Sequence, residues 1–99
     1  MKLRILSSAL KDLESGRAFY EEQGPGLGNY FFDSVFADVD SLALYGEIHR
    51  KCLGYYRLLT RRFPFAIYYR MDTDDQVVVY RILDCRQDPA KTAGQLRRS

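Results

Sequence analysis

The pattern of hydrophobic residues changes at His49, and this change constrains the fold more than any other feature of the sequence. Before it, two segments carry apolar residues three and four positions apart, which is typical of amphipathic helices. After it, β-branched and aromatic residues form about three runs, which is typical of strands. Helices followed by strands predict an α+β fold in which a helical pair packs on a sheet. Ninety-nine residues suffice for one core, so we assign residues 1–99 to a single domain.

The chain is predicted to begin with a short strand and a helix. Residues 1–6 alternate between apolar and polar or charged side chains, as expected for a short strand near a sheet edge. A helix should follow, from an N-cap at Ser7 or Ser8 to about Gln23. Residues 24–28, with the sequence GPGLG, cannot continue that helix, so we expect a tight turn there.

A second helix is predicted from Asn29 to about Leu44, antiparallel to the first, so that the two form a hairpin. One face of this helix should be buried and the other acidic. The buried stripe is expected to contain Phe32, Val35, Phe36, Val39, Leu42 and Ala43, and the exposed face Asp33, Asp38 and Asp40.

The second half is predicted to form strands at residues 55–61, 63–71 and 76–84. The polar turn at residues 72–75 should join the last two as a hairpin, so that with the N-terminal strand the sheet is antiparallel and has about four strands. The tail, with Pro89 at the first helical position, should form a short, weakly packed helix. Along the last strand, one face is expected to carry Val77, Val79, Arg81 and Leu83, and the other Val78, Tyr80 and Ile82.

The charge of the chain is divided between its two halves. Residues 1–49 contain four Lys or Arg and eight Asp or Glu, a net charge of −4, whereas residues 50–99 contain eleven and five, a net charge of +6. A basic half attracts nucleic acid or an acidic protein through the same long-range field, so charge leaves both partners open. Because the sequence has neither a membrane-length apolar run nor a signal peptide, we expect a cytoplasmic protein without membrane contact.

Neither a metal, a cofactor nor a standard catalytic triad is predicted. Cys52 and Cys85 lack the spacing of zinc ligands, and His49 is the only histidine. Both thiols are expected to be reduced and to serve in packing. No recognisable Ser-His or Cys-His pattern accompanies His49, so a surface or core role is favoured for it.

Arginines interleaved with tyrosines are the concentrated chemistry of the second half. A sheet of this composition could bind a single nucleic-acid strand through phosphate contacts and base stacking. It could equally receive an acidic partner protein, since Tyr and Arg dominate protein interfaces. The third interpretation is packing of the tyrosines, with the arginines solvated or paired with nearby aspartates. The arginines are Arg57, Arg61, Arg62, Arg70, Arg81 and Arg86, and the tyrosines are Tyr55, Tyr56, Tyr68, Tyr69 and Tyr80.

The order of a strand, a helical hairpin and three strands resembles the RelE/ParE superfamily of bacterial toxins from type II toxin-antitoxin modules. The resemblance covers nearly the whole chain. It is carried by ALKDL at residues 9–13, FYEEQ at 19–23, GLG at 26–28, YRLL at 56–59, FPFAIYYR at 63–70 and VVVYRILDCRQDP at 77–89.

This resemblance implies a growth-inhibiting toxin that a cognate antitoxin holds inactive. RelE-like members of the superfamily cut messenger RNA on the ribosome with basic residues and commonly a tyrosine, whereas ParE-like members poison DNA gyrase and are not nucleases. A non-toxic family member that acts only as a binding partner is a third possibility. Without its antitoxin, the chain is expected to form a homodimer through its uncovered apolar surface.

Several positions depart from the RelE-like pattern. Leu59 and Ala66 stand where basic residues are expected, and residues 88–99 contain no tyrosine. The sequence therefore favours the ParE-like branch and a toxin that is not an enzyme. Under this interpretation, the residues expected to contact the target are Arg81, Arg86, Arg97 and Arg98. If the chain is instead a ribosome-dependent endoribonuclease, the catalytic candidates are Arg57, Arg61, Arg81 and Arg86.

Overall fold

The chain forms a five-stranded sheet with two helices on one face and a third helix against the other. The computed structural model describes residues 2–45, 49–72 and 75–99. Along the chain the elements are β1 (Lys2–Ile5), α1 (Ser7–Gln23), α2 (Leu27–Tyr45), β2 (Arg50–Cys52), β3 (Tyr55–Leu59), β4 (Phe65–Asp72), β5 (Gln76–Asp84) and α3 (Pro89–Arg97). Within the described parts, no helix is long and apolar enough to cross a membrane.

The α+β class is confirmed, and the sheet has one strand more than expected. Its strand order is β1-β5-β4-β3-β2. The expectation of a wholly antiparallel sheet is wrong for the N-terminal strand, because β1 is parallel to β5, whereas the other pairs are antiparallel. Strand β2 was missed because its sequence, Arg50-Lys51-Cys52, is polar and only three residues long. The predicted pairing of the last two strands is confirmed, while Thr73 and Asp74 of the predicted turn lie outside the described residues.

The helical hairpin is confirmed, and small residues bring its two helices close together. A Cβ atom at Gly16 of α1 would lie 2.5 Å from the ring of Phe31 in α2. At Gly28 it would lie 2.7 Å from the carbonyl oxygen of Arg17. Helix α2 begins at Leu27 rather than Asn29 because the Glu21 carboxylate accepts the N–H groups of Gly26 and Gly28, at 3.2 and 3.0 Å.

The main core lies between the hairpin and the sheet. Phe31 is fully buried, so the apolar stripe of α2 begins one residue earlier than predicted. Asp38 was predicted to be exposed, and this is wrong, since only 6% of it is accessible. Its burial is compensated because its two carboxylate oxygens accept the backbone N–H and the side-chain Nε of Arg61, each at 3.1 Å.

Strand β5 contains an irregularity that the alternation rule could not predict. Tyr68 of β4 pairs with Arg81 and Tyr69 pairs with Val79, so the register skips Tyr80. Beyond this point the faces of β5 exchange. Ile82 therefore joins the core under the helices and Leu83 joins the opposite face, contrary to the predicted alternation.

Helix α1 completes the hydrogen bonding of β5 where β1 has ended. Strand β1 stops at Ile5, opposite Val79. Among the described residues, those of β5 that follow Val79 therefore have no strand beside their outer edge. The Ser8 hydroxyl donates to the Tyr80 carbonyl at 2.7 Å, and the Asp12 carboxylate accepts the Ile82 N–H at 2.9 Å. The expected serine N-cap is therefore wrong: Leu6 occupies that position without a side-chain bond.

Helix α3 is held more firmly than predicted. Its N-cap Asp88 accepts the N–H of Ala90 at 2.9 Å, and Pro89 begins the helix as expected. Leu96 is 2% exposed, and its carbonyl accepts the Tyr55 hydroxyl at 2.9 Å. The helix thus covers a second apolar cluster on the sheet, formed by Tyr55, Ala66, Tyr68, Leu83 and Leu96.

Candidate functional site

The sheet face under α3 carries the interleaved tyrosines and arginines, and we call it the α3 face. Tyr55 and Arg57 are two residues apart on β3, and Tyr68 and Arg70 are two apart on β4, so each pair points to the same side. Arg57 lies directly opposite Tyr68 in the β3–β4 pairing. Tyrosine packing and arginine contacts therefore combine on one surface.

Arg57 is oriented by its neighbours on this face. Its Nε donates to the Tyr68 hydroxyl at 3.1 Å, and its Nη2 donates to the Cys85 sulfur at 3.6 Å. The hydrogen bond to Tyr68 is the main reason that the pKa of Arg57 is raised, so its charge is secure at any physiological pH. The guanidinium is a fixed cation and a donor, and it cannot serve as a proton-transfer group.

Arg70 belongs to the same surface although the sequence did not assign it to a site. Its guanidinium lies 4.0 Å from the ring centroid of Tyr55 and 5.2 Å from that of Tyr80. It also lines a groove of about 260 Å³ together with Arg97 at the end of α3. The signal that could have found it is the alternation on β4, which places Arg70 on the same side as Tyr68.

The tail arginines are placed as expected, at the exposed end of α3. Arg97 is the last helical residue, and Arg98 caps the helix with its N–H directed to the Gly94 carbonyl at 3.3 Å. Both side chains are exposed. Two cations at a helix C-terminus complement the helix dipole and present a basic surface next to Arg70.

Arg81, in contrast, is engaged inside the fold. Its Nε and Nη2 donate to the two carboxylate oxygens of Asp12, at 2.7 and 2.9 Å. The hydrogen bond to Asp12 raises the pKa of Arg81. This ion pair links β5 to α1, so the geometry gives Arg81 a structural role.

The remaining predicted arginines also have carboxylate partners. Arg86 donates to Asp84 through Nε and Nη2, at 3.0 and 2.8 Å, and this contact raises the pKa of Arg86 and lowers that of Asp84. Arg61 pairs with Asp38 of α2 at 3.1 Å. Both arginine side chains remain exposed, so each guanidinium is accessible while its charge is partly balanced.

The four arginines of the nuclease hypothesis therefore have separate partners. Arg57 contacts Tyr68 and Cys85, while the other three pair with Asp38, Asp12 and Asp84 on α2, α1 and β5. Phosphoryl transfer needs cations directed at one position where charge develops. An arginine held by a carboxylate contributes less to such a site, because the carboxylate competes with the phosphate.

His49 contacts a buried tyrosine. Its Nδ1 is hydrogen bonded to the Tyr69 hydroxyl, and burial lowers the pKa of His49. Burial is also the main cause that raises the pKa of Tyr69 to about 12. The contact with the buried Tyr69 places His49 beside the core, one of the two locations favoured for it from the sequence.

A groove separates α1 from α3 and exposes apolar surface. It has a volume of about 460 Å³, and its walls include Phe19 of α1, Ile82 of β5 and Lys91 of α3. Phe19 is 49% exposed although it is a large aromatic side chain. The groove therefore combines an exposed aromatic ring with both apolar and charged wall residues.

Two comparisons with known proteins find matches, one to a family model and one to a fold. The family model described as ParE toxin of type II toxin-antitoxin system, parDE, matches residues 3–89. A solved structure entitled chromosomal ParDE TA system from P. aeruginosa has a TM-score of 0.73 at 21% sequence identity, covering 83% of this chain and 92% of that chain. No curated protein sequence matches the chain. The shared fold extends over most of both chains.

Proposed function

Since this chain belongs to the family of ParE toxins of type II toxin-antitoxin systems, we propose that it inhibits bacterial growth by poisoning DNA gyrase and that it is not a nuclease. Its neutralising partner is a cognate antitoxin. Gyrase is the target that the ParE-like branch implies. This chain has Leu59 and Ala66 at the positions where the RelE-like branch uses basic residues.

The pairing of Arg61, Arg81 and Arg86 with carboxylates supports a binding toxin over an RNA-cleaving one, because among the described residues it leaves only Arg57 of the nuclease set without an ion pair. Arg81 occurs in both the target-binding and the nuclease sets, and its Nε and Nη2 donate two hydrogen bonds to a single carboxylate. Releasing it to bind phosphate would leave Asp12 largely buried without its counter-ion. We therefore assign Arg81 to the support of β5.

The target contacts are proposed at the exposed arginines near α3. Arg86 precedes the helix, and Arg97 and Arg98 end it, so the three residues lie on either side of one short helix along the chain. Arginines on such a surface can form paired hydrogen bonds with carboxylates of a protein target. The groove beside Phe19 is proposed to receive an apolar side chain of the antitoxin, and the same surface would form the homodimer when antitoxin is absent.

A gyrase supercoiling assay with purified protein tests this function. We expect loss of supercoiling and linear DNA from trapped cleavage complexes, both dependent on gyrase and suppressed by the antitoxin. The Arg97→Ala/Arg98→Ala variant should need about tenfold more protein for the same linear product, because interfacial arginines often contribute 1 kcal/mol or more. The matched control is Lys2→Ala/Arg4→Ala, which removes the same charge from exposed positions of β1 and should act like the parent.

A parallel assay measures cleavage of messenger RNA on ribosomes. Folded protein that leaves gyrase unaffected and cuts RNA in the ribosomal A site would replace this proposal with the RelE-like activity. Protein that affects neither target, although folded and bound by its antitoxin, would identify a non-toxic family member.

A further inference from the structure

The turn between β2 and β3 holds a leucine in a backbone conformation that leucine disfavours. Leu53 and Gly54 form the two-residue loop of the β2–β3 hairpin, and their φ angles are 55° and 84°. Two positive φ angles are typical of a type I′ turn, for which Asn-Gly is a preferred sequence. The Leu53 side chain is also 59% exposed. Neither the turn nor the core therefore accounts for a leucine here, and a residue held against its preference indicates a functional constraint.

Leu53 borders the groove that contains Arg70. This groove has a volume of about 260 Å³, and the C-terminal half of α3 contributes Ala93, Leu96 and Arg97 to it. Leu53 and Ala93 give the groove apolar walls, while the two arginines give it positive charge. A site of this kind suits a ligand that carries a negative group next to an apolar one.

Arg70 is held in this groove by contacts that do not use its charge. Its Nε donates to the Gly54 carbonyl at 3.2 Å, and its guanidinium lies 4.0 Å from the ring centroid of Tyr55 and 5.2 Å from that of Tyr80. Among the described residues, no carboxylate pairs with Arg70. A planar guanidinium that is oriented in advance loses little freedom when a carboxylate accepts two of its N–H groups.

The tyrosines around Arg70 favour a protein carboxylate over a nucleic-acid strand as its ligand. A single strand binds through aromatic rings on which its bases can stack. Tyr55 and Tyr68 are only 2% and 4% exposed, and the ring of Tyr80 contacts both Tyr55 and Arg70. These rings are therefore occupied within the fold. A ligand meets the N–H groups of Arg70 beside apolar walls, and this surface matches an Asp or Glu side chain with an apolar neighbour.

We propose that this groove binds an acidic side chain of gyrase together with an adjacent apolar side chain, an inference that rests on gyrase being the target as proposed above. The carboxylate accepts hydrogen bonds from Arg70, and Arg97 adds to the attraction from the same groove. The apolar side chain contacts Leu53, whose exposed position then serves the interface rather than the turn. Arg70 and Leu53 thus join Arg97 among the target contacts.

Leu53→Asn separates the stability of the fold from binding of the target. Because asparagine adopts the positive φ of this turn more readily, the variant should unfold at a higher urea concentration than the parent. Its dissociation constant for immobilised gyrase holoenzyme should nevertheless rise about tenfold, because the apolar contact is lost. The amount of protein needed for half-maximal linear DNA should rise by the same factor. A more stable variant with weaker binding cannot result from unfolding.

Substitutions of Arg70 test the charged part of the groove. Arg70→Gln should raise the dissociation constant for gyrase about tenfold, because the carboxylate loses a charged donor. Arg70→Lys keeps the charge without the planar pair of donors, so its dissociation constant should lie between those of the parent and Arg70→Gln. The matched control is Arg62→Gln, which removes the same charge from an exposed residue of the loop between β3 and β4, at the other end of these strands from the groove. It should change the dissociation constant by less than about twofold.

The outcomes distinguish this site from the proposed function. A parent protein that poisons gyrase, with unchanged gyrase binding in Leu53→Asn or in Arg70→Gln, would overturn the groove assignment and leave gyrase as the target. A folded parent that neither binds nor poisons gyrase would overturn both. Leu53→Asn that unfolds at a lower urea concentration than the parent would show that the leucine serves the fold and would overturn the assignment. Arg70→Gln that loses affinity for a single-stranded oligonucleotide while binding gyrase normally would assign the groove to nucleic acid instead.

Discussion

Removal of the Asp12 carboxylate should destabilise the whole domain. Asp12 accepts three hydrogen bonds, from Nε and Nη2 of Arg81 and from the backbone N–H of Ile82, at 2.7, 2.9 and 2.9 Å. In Asp12→Ala, the guanidinium loses its counter-ion where its side chain is only 17% exposed, and the Ile82 N–H loses its acceptor. Breaking such a pair from one side should cost about 3 kcal/mol of unfolding free energy.

A second ion pair provides a control with the same hydrogen-bond pattern and different burial. Asp84 also accepts from Nε, Nη2 and one backbone N–H, all of Arg86. Its side chain is 30% exposed and that of Arg86 is 57% exposed, against 14% for Asp12. Asp84→Ala should therefore cause a much smaller loss of stability than Asp12→Ala, since solvent screens the pair and solvates its separated groups.

Urea unfolding followed by circular dichroism measures both variants. The argument from burial is wrong if Asp12→Ala and Asp84→Ala lose the same unfolding free energy. It is also wrong if Asp12→Ala changes the unfolding free energy by less than about 1 kcal/mol with an unchanged urea dependence. The double variant Asp12→Ala/Arg81→Met adds a further check. It should recover part of the loss because it no longer buries an unpaired charge.

Three other changes should affect the stability of the fold in a predicted direction. Gly16→Ala should lower the unfolding free energy by about 1–3 kcal/mol, because the new methyl group would meet the buried Phe31 ring. Gly94→Ala in α3 should instead raise the unfolding free energy by about 0.5–1 kcal/mol, because alanine favours a helix more than glycine does. Urea unfolding in which both variants change stability in the same direction would contradict this. The folded-state pKa of Tyr69 is raised to about 12 from an ordinary 10.0, so its contribution to stability is complete below pH 10 and is lost as the pH rises toward 12. Between pH 10 and 12, the unfolding free energy should fall more steeply with pH for the parent than for Tyr69→Phe. Parallel curves of unfolding free energy against pH would refute the assignment. Leu96→Ala should cost about 2–4 kcal/mol and increase hydrogen exchange in α3 first, and uniform exchange would show that the helix is not docked independently.

The local patterns predicted the elements well. The apolar spacing gave both hairpin helices to within about two residues, and Pro89 marked the first residue of α3. The resemblance to ParE-like toxins is confirmed by the family match. These features depend on neighbours along the chain, which a single sequence displays directly.

The features that failed depend on contacts between distant segments. The register irregularity at Tyr80 reverses the predicted faces of the later part of β5, and nothing in an alternating apolar strand marks such a skip. The buried Asp38 accepts hydrogen bonds from Arg61 in the loop after β3, a contact across 23 residues. In the same way, the partner of Arg81 lies 69 residues away. A charged residue's role is therefore decided by its tertiary partner, which spacing does not show.

The divided charge of the sequence is partly cancelled inside the domain. Asp12 and Asp38 belong to the acidic half, and they pair with Arg81 and Arg61 of the basic half. These contacts join the helical hairpin to β5 and to the loop after β3. The net charge that a partner meets on each half is therefore smaller than the sequence indicates. Elsewhere in the described ranges, four arginines that lie beside α3 or at its end form no ion pair: Arg57, Arg70, Arg97 and Arg98. An acidic partner attracted by this field should therefore first meet the α3 face, while the arginine within β5 continues to stabilise the fold.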